Sequence, residues 1–163
     1  MRSMIMKACR LAVCLLLVGL IFVLAGCQKA EIPTPTVLTE QVMEAASVTG
    51  LEPLSGAALS SYFEFQDTDV NRFSVWVSAS AASADTIAAF ETRDEAEYKT
   101  VVSGVSGYLA KLSSSFKNTM DSEYQKIQSR VLVQMGDTVL LLICADPTSV
   151  DPLLEAWNAK PIY

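Results

Sequence analysis

Hydrophobic residues alternate with polar ones in some segments of the chain and recur every three to four residues in others. Alternation is typical of half-buried strands, and the longer spacing is typical of amphipathic helices. The pattern predicts four strands, over residues 72–80, 86–91, 130–135 and 138–145. It also predicts five helices, over residues 38–47, 55–61, 92–118 and 121–128 and from residue 151 onward.

The long helix is predicted from both its start and its apolar stripe. Thr92 and Glu95 have the spacing of a capping box, in which a hydroxyl at the N-cap is followed three residues later by a carboxylate. Gly104 and Gly107 lie inside this helix, where each costs about 1 kcal/mol relative to alanine. We expect them to allow a neighbouring element to approach closely. The apolar stripe consists of Tyr98, Val101, Val102, Val105, Leu109, Leu112 and Phe116.

The strands are predicted to form two hairpins. Gly136-Asp137 is a two-residue hairpin signal between the last two strands. The strand over residues 138–145 is apolar on both faces, so we expect it to be central and covered on both sides. The order α-α-β-β-α-α-β-β-α therefore predicts a single α+β domain. Its antiparallel sheet has about four strands, with the long helix packed on it and short helices flanking it.

The first 27 residues have the layout of a secretory signal peptide. Three basic residues precede an uncharged, mostly apolar run over residues 11–26, and Cys27 follows this run. Leu24-Ala25-Gly26-Cys27 resembles the lipobox of bacterial lipoproteins, which implies that Cys27 carries a diacylglycerol thioether. The alternative is an uncleaved membrane anchor, but 16 helical residues span only about 24 Å of a hydrocarbon core about 30 Å thick.

These features divide the chain into three predicted parts. Residues 1–26 are the signal peptide, residues 27–37 are the lipidated cysteine and a short tether, and residues 38–163 are the domain. Pro33 and Pro35 favour extended backbone in the tether. We expect the protein on the extracytoplasmic face of the cell membrane, with its lipid anchor as the membrane partner.

The composition of the chain excludes several classes of partner and reaction. Without the three basic residues of the predicted signal peptide, nine basic and 18 acidic residues remain, a net charge of −9. An acidic domain is repelled by phosphate backbones, so we expect no nucleic-acid partner. The chain contains no histidine, which removes Ser-His and Cys-His pairs and the commonest transition-metal ligand. We expect no cofactor and no metal site.

Cysteine usage excludes a disulfide framework. Cys9 and Cys14 leave with the predicted signal peptide and Cys27 is consumed by lipid. Only Cys144 remains, inside an apolar strand, where a buried structural role is expected rather than a nucleophilic one.

The stretch from about Leu38 to Trp157 resembles an uncharacterised domain-of-unknown-function family found in lipoproteins of Gram-positive bacteria. This chain has Thr119-Met120 where the family pattern prefers a tyrosine and a proline, and it lacks a basic residue often found near Glu91. The resemblance implies location and fold but no activity. It is carried by residues 78–90, the long helix with Phe116, Asp121-Ser122-Glu123-Tyr124, and Gly136 with the apolar strand after it.

The candidate ligand patch consists of Ser78, Ser80, Ser83 and Asp85. Hydroxyls beside a carboxylate can bind a small ligand, but a run of small residues can equally form a bulged turn. A serine nucleophile needs a base within about 3 Å, and no Ser-x-x-Lys motif occurs in the chain.

Two further features have both a functional and a structural interpretation. The stretch Asp67-Thr68-Asp69-Val70-Asn71 copies the start of a calcium-binding EF-hand loop. In an EF-hand loop the sixth residue is a glycine and the twelfth is a glutamate, but these positions are Arg72 and Ser78 here. We therefore expect a polar turn and not a calcium site. Trp76 can be a binding platform, or it can be buried by a second layer of helices.

We therefore predict a non-catalytic domain that binds a protein, a peptide or an envelope component. The alternative is a small cell-envelope hydrolase that uses Ser and Lys or paired carboxylates. A transporter's solute-binding protein is disfavoured, because 137 residues do not form two lobes around a cleft.

Overall fold

A six-stranded antiparallel sheet lies at the centre of the fold, with the strand order β1-β2-β3-β5-β4-β6. This computed structural model describes residues 31–163. The predicted signal peptide and the predicted lipidation site Cys27 lie outside the described residues. The strands are β1 Leu51–Pro53, β2 Arg72–Ser78, β3 Thr86–Glu91, β4 Val131–Met135, β5 Thr138–Ile143 and β6 Lys160–Pro161.

Helices cover both faces of this sheet. The helices are α1 Pro35–Ala45, α2 Gly56–Phe63, α3 Glu95–Phe116, α4 Asp121–Gln128 and α5 Asp151–Ala156, with short 3-10 helices at Asp67–Asp69 and Pro147–Val150. Phe63 of α2, Val105 of α3 and Ile127 of α4 share one hydrophobic cluster with Phe90 of β3. Leu38 and Val42 of α1 lie in a second cluster on the other face. The domain therefore has three layers.

The strand faces follow the predicted alternation. Val75 and Val77 of β2 lie in the first cluster, while Ile87 and Ala89 of β3 lie in the second. Strand β5 pairs with β3 on one side and β4 on the other, and its six residues are all buried. This confirms the prediction of a central strand covered on both faces.

The predicted four-stranded sheet is wrong in its strand number, because β1 and β6 add one strand at each edge. These strands have only three and two residues, too few for a period-2 pattern to be visible. Both contain a proline. The N–H of Leu54 donates to the carbonyl of Val75, and the N–H of Ile162 donates to the carbonyl of Leu132. Because successive residues of a strand point their nitrogens to opposite sides, the nitrogens of Pro53 and Pro161 point away from the sheet.

The predicted capping box at Thr92 is also wrong. Helix α3 starts at Glu95, and the Asp94 side chain caps it by accepting hydrogen bonds from the N–H groups of Ala96 and Glu97. Thr92 is buried and donates from both its N–H and its Oγ1 to the carbonyl of Asp137. It therefore ties the end of β3 to the β4–β5 hairpin instead of capping the helix.

Two other helix starts differ from the prediction. Helix α1 starts at Pro35 rather than Leu38, with proline in the first turn, where its missing N–H costs nothing. Helix α4 starts at Asp121 with Met120 as its N-cap, so neither Asp121 nor Ser122 is the cap.

The two glycines of α3 have different roles. A Cβ on Gly104 would lie 2.2 Å from the carbonyl oxygen of Phe63, so this glycine does allow close approach of the end of α2. A Cβ on Gly107 would lie no nearer than 3.6 Å to the Glu64 carboxylate. The expectation of close approach is therefore confirmed for Gly104 and wrong for Gly107.

Trp76 is packed by the second layer of helices. Its half-buried side chain lies against the second cluster, and its indole N–H donates to Ser74 Oγ at 3.3 Å. Ser74 Oγ also shares a hydrogen bond of 2.7 Å with Thr39 of α1. The tryptophan is thus part of the contact between β2 and α1.

Candidate functional site

The candidate residues lie at one end of the sheet, where Ser78 ends β2 and Ser80, Ser83 and Asp85 lie in the connection between β2 and β3. The N–H of Ser78 donates to the carbonyl of Asp85 at 3.0 Å and closes the base of this connection. The N–H of Ser83 donates to the carbonyl of Ser80 at 3.1 Å. The run of small residues therefore forms a tight turn, which we call the distal turn (residues 79–85).

Ser78 and Ser80 support the backbone of the distal turn. Ser78 Oγ accepts the N–H of Ser80 at 3.1 Å, and Ser80 Oγ accepts the N–H of Ala82 at 3.2 Å. Each hydroxyl bonds a backbone group two residues ahead, a local pattern that stabilises turns. These two serines are therefore separate from the charged part of the site.

Ser83 and Asp85 instead meet two charged residues of α4. Asp85 Oδ2 accepts the Ser83 hydroxyl at 2.9 Å, and Asp85 Oδ1 accepts Lys126 Nζ at 3.0 Å. The same ammonium group lies 3.1 Å from Glu123 Oε2. Glu123 Oε2 also accepts the backbone N–H of Ala84 at 2.9 Å. We call these four side chains, Ser83, Asp85, Glu123 and Lys126, the charged cluster.

The position of Glu123 on α4 explains why this cluster forms. Residues four apart lie on the same face of a helix, and Ile127 is fully buried in the first core cluster. Glu123 is therefore carried toward the core and is itself buried. A buried carboxylate needs partners, which Lys126 and the Ala84 N–H supply. This spacing is the sequence signal that could have identified Glu123 and Lys126, the residues missing from the predicted patch.

Electrostatics keep Lys126 protonated. Burial by itself lowers the pKa of this lysine, but its hydrogen bonds and charge interactions with Asp85 and Glu123 outweigh burial, and the pKa is raised. A lysine with a raised pKa carries its proton at neutral pH and cannot act as a general base. The charged cluster thus joins α4 to the start of β3, and the group that the Ser83 hydroxyl contacts is the Asp85 carboxylate, not Lys126.

The hydrogen-bond network continues into the protein interior. Thr86 Oγ1 donates to the carbonyl of Ala84 at 3.0 Å and shares a 2.8 Å hydrogen bond with Tyr108 Oη of α3. Burial is the main cause that raises the pKa of Tyr108 to about 12. Both backbone polar groups of Ala84 are therefore bonded to side chains, one from Glu123 and one from Thr86.

The thiol of Cys144 is buried just after β5. Burial raises its pKa, and the negative charges of Asp85 and Asp146 act in the same direction. The thiolate is the nucleophilic form of cysteine, and the raised pKa disfavours this form although a backbone hydrogen bond at Asp146 and the charge of Lys126 act in the opposite direction. Its location agrees with the buried structural role expected from the sequence.

A second polar surface lies at the opposite end of the sheet. An open groove of about 420 Å³ is formed there where α1 begins and β2 starts. Arg72 lies in this groove and is paired with Glu91 at 2.7 Å. The groove is lined by Thr34, Pro35, Thr36, Asp67, Asn71, Arg72 and Phe73.

The first three residues of the EF-hand-like stretch form a one-turn 3-10 helix at Asp67–Asp69, and two further residues lead into β2. Asp69 Oδ2 accepts the backbone N–H of Gln66 at 2.8 Å, so this carboxylate caps the turn. Within residues 31–163, no three His, Cys, Asp or Glu side chains are grouped as metal ligands would be.

Among the helices of residues 31–163, none is both long and apolar enough to cross a membrane. No curated protein and no solved structure gives a significant match to the chain. The model of one protein family does match, over residues 44–144, and this match includes the distal turn, the charged cluster and all strands except β6. The match covers more than half of the chain, and the chain therefore belongs to the DUF4358 family of domains of unknown function.

Proposed function

We propose that this protein is a lipoprotein anchored through Cys27 to the extracytoplasmic face of the cell membrane. The support is the order of basic residues, apolar run and lipobox-like Leu24-Ala25-Gly26-Cys27. The acidic domain has no cluster of basic residues that would hold it on a membrane, so a lipid anchor supplies the attachment. The resemblance to lipoproteins of Gram-positive bacteria points to the same location.

We further propose that the anchored domain binds a protein, a peptide or an envelope component and is not an enzyme. The observation that carries this proposal is the double pairing of Lys126 with Asp85 and Glu123. The cluster contains the elements of a Ser-Lys hydrolase, but its lysine is held protonated by two carboxylates. The hydroxyls of Ser78 and Ser80 accept backbone N–H groups, and a hydroxyl that accepts a hydrogen bond still carries a proton that it can donate to a ligand.

A glycoside hydrolase that uses Asp85 and Glu123 as its carboxylate pair is less well supported. Such enzymes hold the scissile bond between the two carboxylates. Here the ammonium group of Lys126 lies 3.0 Å from one carboxylate and 3.1 Å from the other, and it occupies that space. Glu123 also accepts the Ala84 N–H, which gives this carboxylate a structural role.

The anchoring is tested by intact-mass analysis of protein extracted from membranes, together with labelling by a palmitate analogue. We expect an acylated chain that begins at Cys27. Cys27→Ala is expected to abolish labelling and membrane retention, whereas the matched control Cys144→Ala is expected to leave both unchanged. Unchanged cleavage and retention in Cys27→Ala would contradict the proposal.

The binding role is tested against the hydrolase with a fluorophosphonate probe, which labels activated serines. We expect no stoichiometric labelling of the native protein. Labelling that disappears in Ser83→Ala but persists in Ser80→Ala would identify a nucleophile and refute the binding role. A photo-crosslinker at the exposed Ala81 on intact cells is expected to capture one defined partner, and the same crosslinker at the exposed Lys99 is not.

A further inference from the structure

The chain enters the domain at the end of the sheet opposite the distal turn. The side chain of Ile32 packs against the second core cluster. A Cβ built on Gly136 would lie 3.1 Å from Ile32 Cδ1, so Ile32 touches the turn between β4 and β5. We call this the proximal end of the domain, formed by Ile32, Gly136 and Asp137.

The strand register places the proximal end and the distal turn at opposite ends of the sheet. Thr138 pairs with Glu91, the last residue of β3. Ile143, at the other end of β5, pairs with Thr86, which directly follows the distal turn. Six residues of strand separate the two ends, a distance of about 17 to 20 Å along the sheet.

The covalent chain limits how the domain can turn relative to an anchor at Cys27. Four residues lie between Cys27 and Ile32, and the five steps from one Cα to the next span at most about 18 Å even when fully extended. A compact domain of about 130 residues has a diameter of about 36 Å. A tether no longer than the radius of the domain cannot reach around it. Ile32 therefore cannot lie farther from the anchoring surface than the middle of the domain, which excludes orientations with the distal turn nearest to that surface.

We propose that the proximal end of the domain faces the lipid bilayer and that the distal turn, with its charged cluster, faces away from it. This inference rests on the proposed acylation of Cys27. In this orientation, the lipid headgroup layer lies next to the proximal end and next to the groove at Arg72. The distal turn is then accessible to partners that approach from outside the cell membrane.

The orientation rests on tether length, although the exposed Lys160, which pairs in register with Gln134, is a cation near the proximal end. Both arginines near the proximal end are paired, Arg72 with Glu91 and Arg93 with Glu97. A cation that is already paired with a carboxylate attracts anionic headgroups only weakly. Lengthening the tether should therefore release the orientation.

The experiment uses the acylated protein that begins at Cys27, in vesicles of phosphatidylcholine and phosphatidylglycerol whose headgroups carry nitroxides. Asp137→Cys and Ala81→Cys place a fluorophore at the proximal end and in the distal turn, respectively. Both positions are exposed, and Cys144 is buried and stays unlabelled. We expect the label at 137 to be quenched at least about twofold more than the label at 81.

Flotation with the vesicles and intact mass are measured on the same samples. A protein that is not acylated and does not float would refute the anchor, and the orientation with it. A protein that floats but shows equal quenching at both labels would refute the orientation alone. Inserting about 20 Gly and Ser residues after Ala30 is expected to abolish the difference. A difference that persists would refute the short tether as its cause.

Discussion

Lys126 Nζ donates a hydrogen bond to Asp85 Oδ1 at 3.0 Å, although 41 positions separate these residues in the sequence. The bond joins α4 to the residue that precedes β3, and Glu123 strengthens the connection by holding the Ala84 N–H. Two elements that are distant in sequence are thus fastened at the turn that carries the candidate ligand patch. The charged cluster fixes the shape of the surface that we propose to bind a partner.

Removing the lysine should destabilise the domain. Lys126→Met leaves Asp85 and Glu123 facing each other without a cation, and we expect the free energy of unfolding to fall by about 1–2 kcal/mol. Urea denaturation followed by circular dichroism measures the change. The control is Lys99→Met, because Lys99 and Glu95 are both 73 % exposed and their pair should contribute less than about 0.5 kcal/mol. Equal losses in the two variants would contradict a structural role for the cluster.

Tyr108 should make the domain lose stability at alkaline pH. An unfolded tyrosine ionises near pH 10, whereas Tyr108 keeps its proton until about pH 12 in the folded state. The unfolded state releases this proton first, so unfolding becomes more favourable as the pH rises from 10 to 12, by up to about 1.4 kcal/mol per pH unit.

Tyr108→Phe isolates this effect. We expect the variant to lose about 1 kcal/mol at pH 7, because Thr86 loses one hydrogen-bond partner. Between pH 10 and 12 its stability should fall less steeply than that of the native protein. Parallel stability curves over this range would show that Tyr108 is not the group responsible.

The two glycines of α3 form a matched pair for a packing test. Gly104→Ala places a methyl group 2.2 Å from the Phe63 carbonyl oxygen and 2.5 Å from the Phe65 ring, and we expect a loss of about 2–4 kcal/mol. Gly107→Ala meets only ordinary contacts and should stabilise the helix by about 0.5–1 kcal/mol. Thermal unfolding of both variants compares them, and a stable Gly104→Ala protein would contradict the close contact between α2 and α3.

The edge prolines should protect the sheet from pairing with another chain. Pro161→Ala creates an outward-pointing N–H on β6, a group that an approaching strand can use. We expect faster aggregation near the unfolding temperature, measured by light scattering. Pro152→Ala, at the start of α5, is the control and should leave the aggregation rate unchanged. An equal increase in both variants would indicate lost stability instead of an exposed edge.

The candidate site shows where inference from sequence stops. Ser83 and Asp85 are found from local composition, and the structure does bring them together. Lys126 and Glu123 are missed because their contacts with the distal turn depend on how α4 packs against the sheet. Spacing along one helix shows that Glu123 shares a face with Ile127, but not which strand that face meets.

The local elements of this domain follow from short-range chemistry in the chain. Alternation predicts the central strands and their faces, a two-residue Gly136-Asp137 signal predicts the hairpin, and an apolar stripe predicts α3. These are properties of neighbouring residues, so periodicity reveals them. The edge strands, the hydrogen bond from Thr92 to the Asp137 carbonyl, and the pairing of Lys126 with Asp85 were decided only by tertiary packing. Each depends on groups that are far apart in sequence and become neighbours only when the helices cover both faces of the sheet.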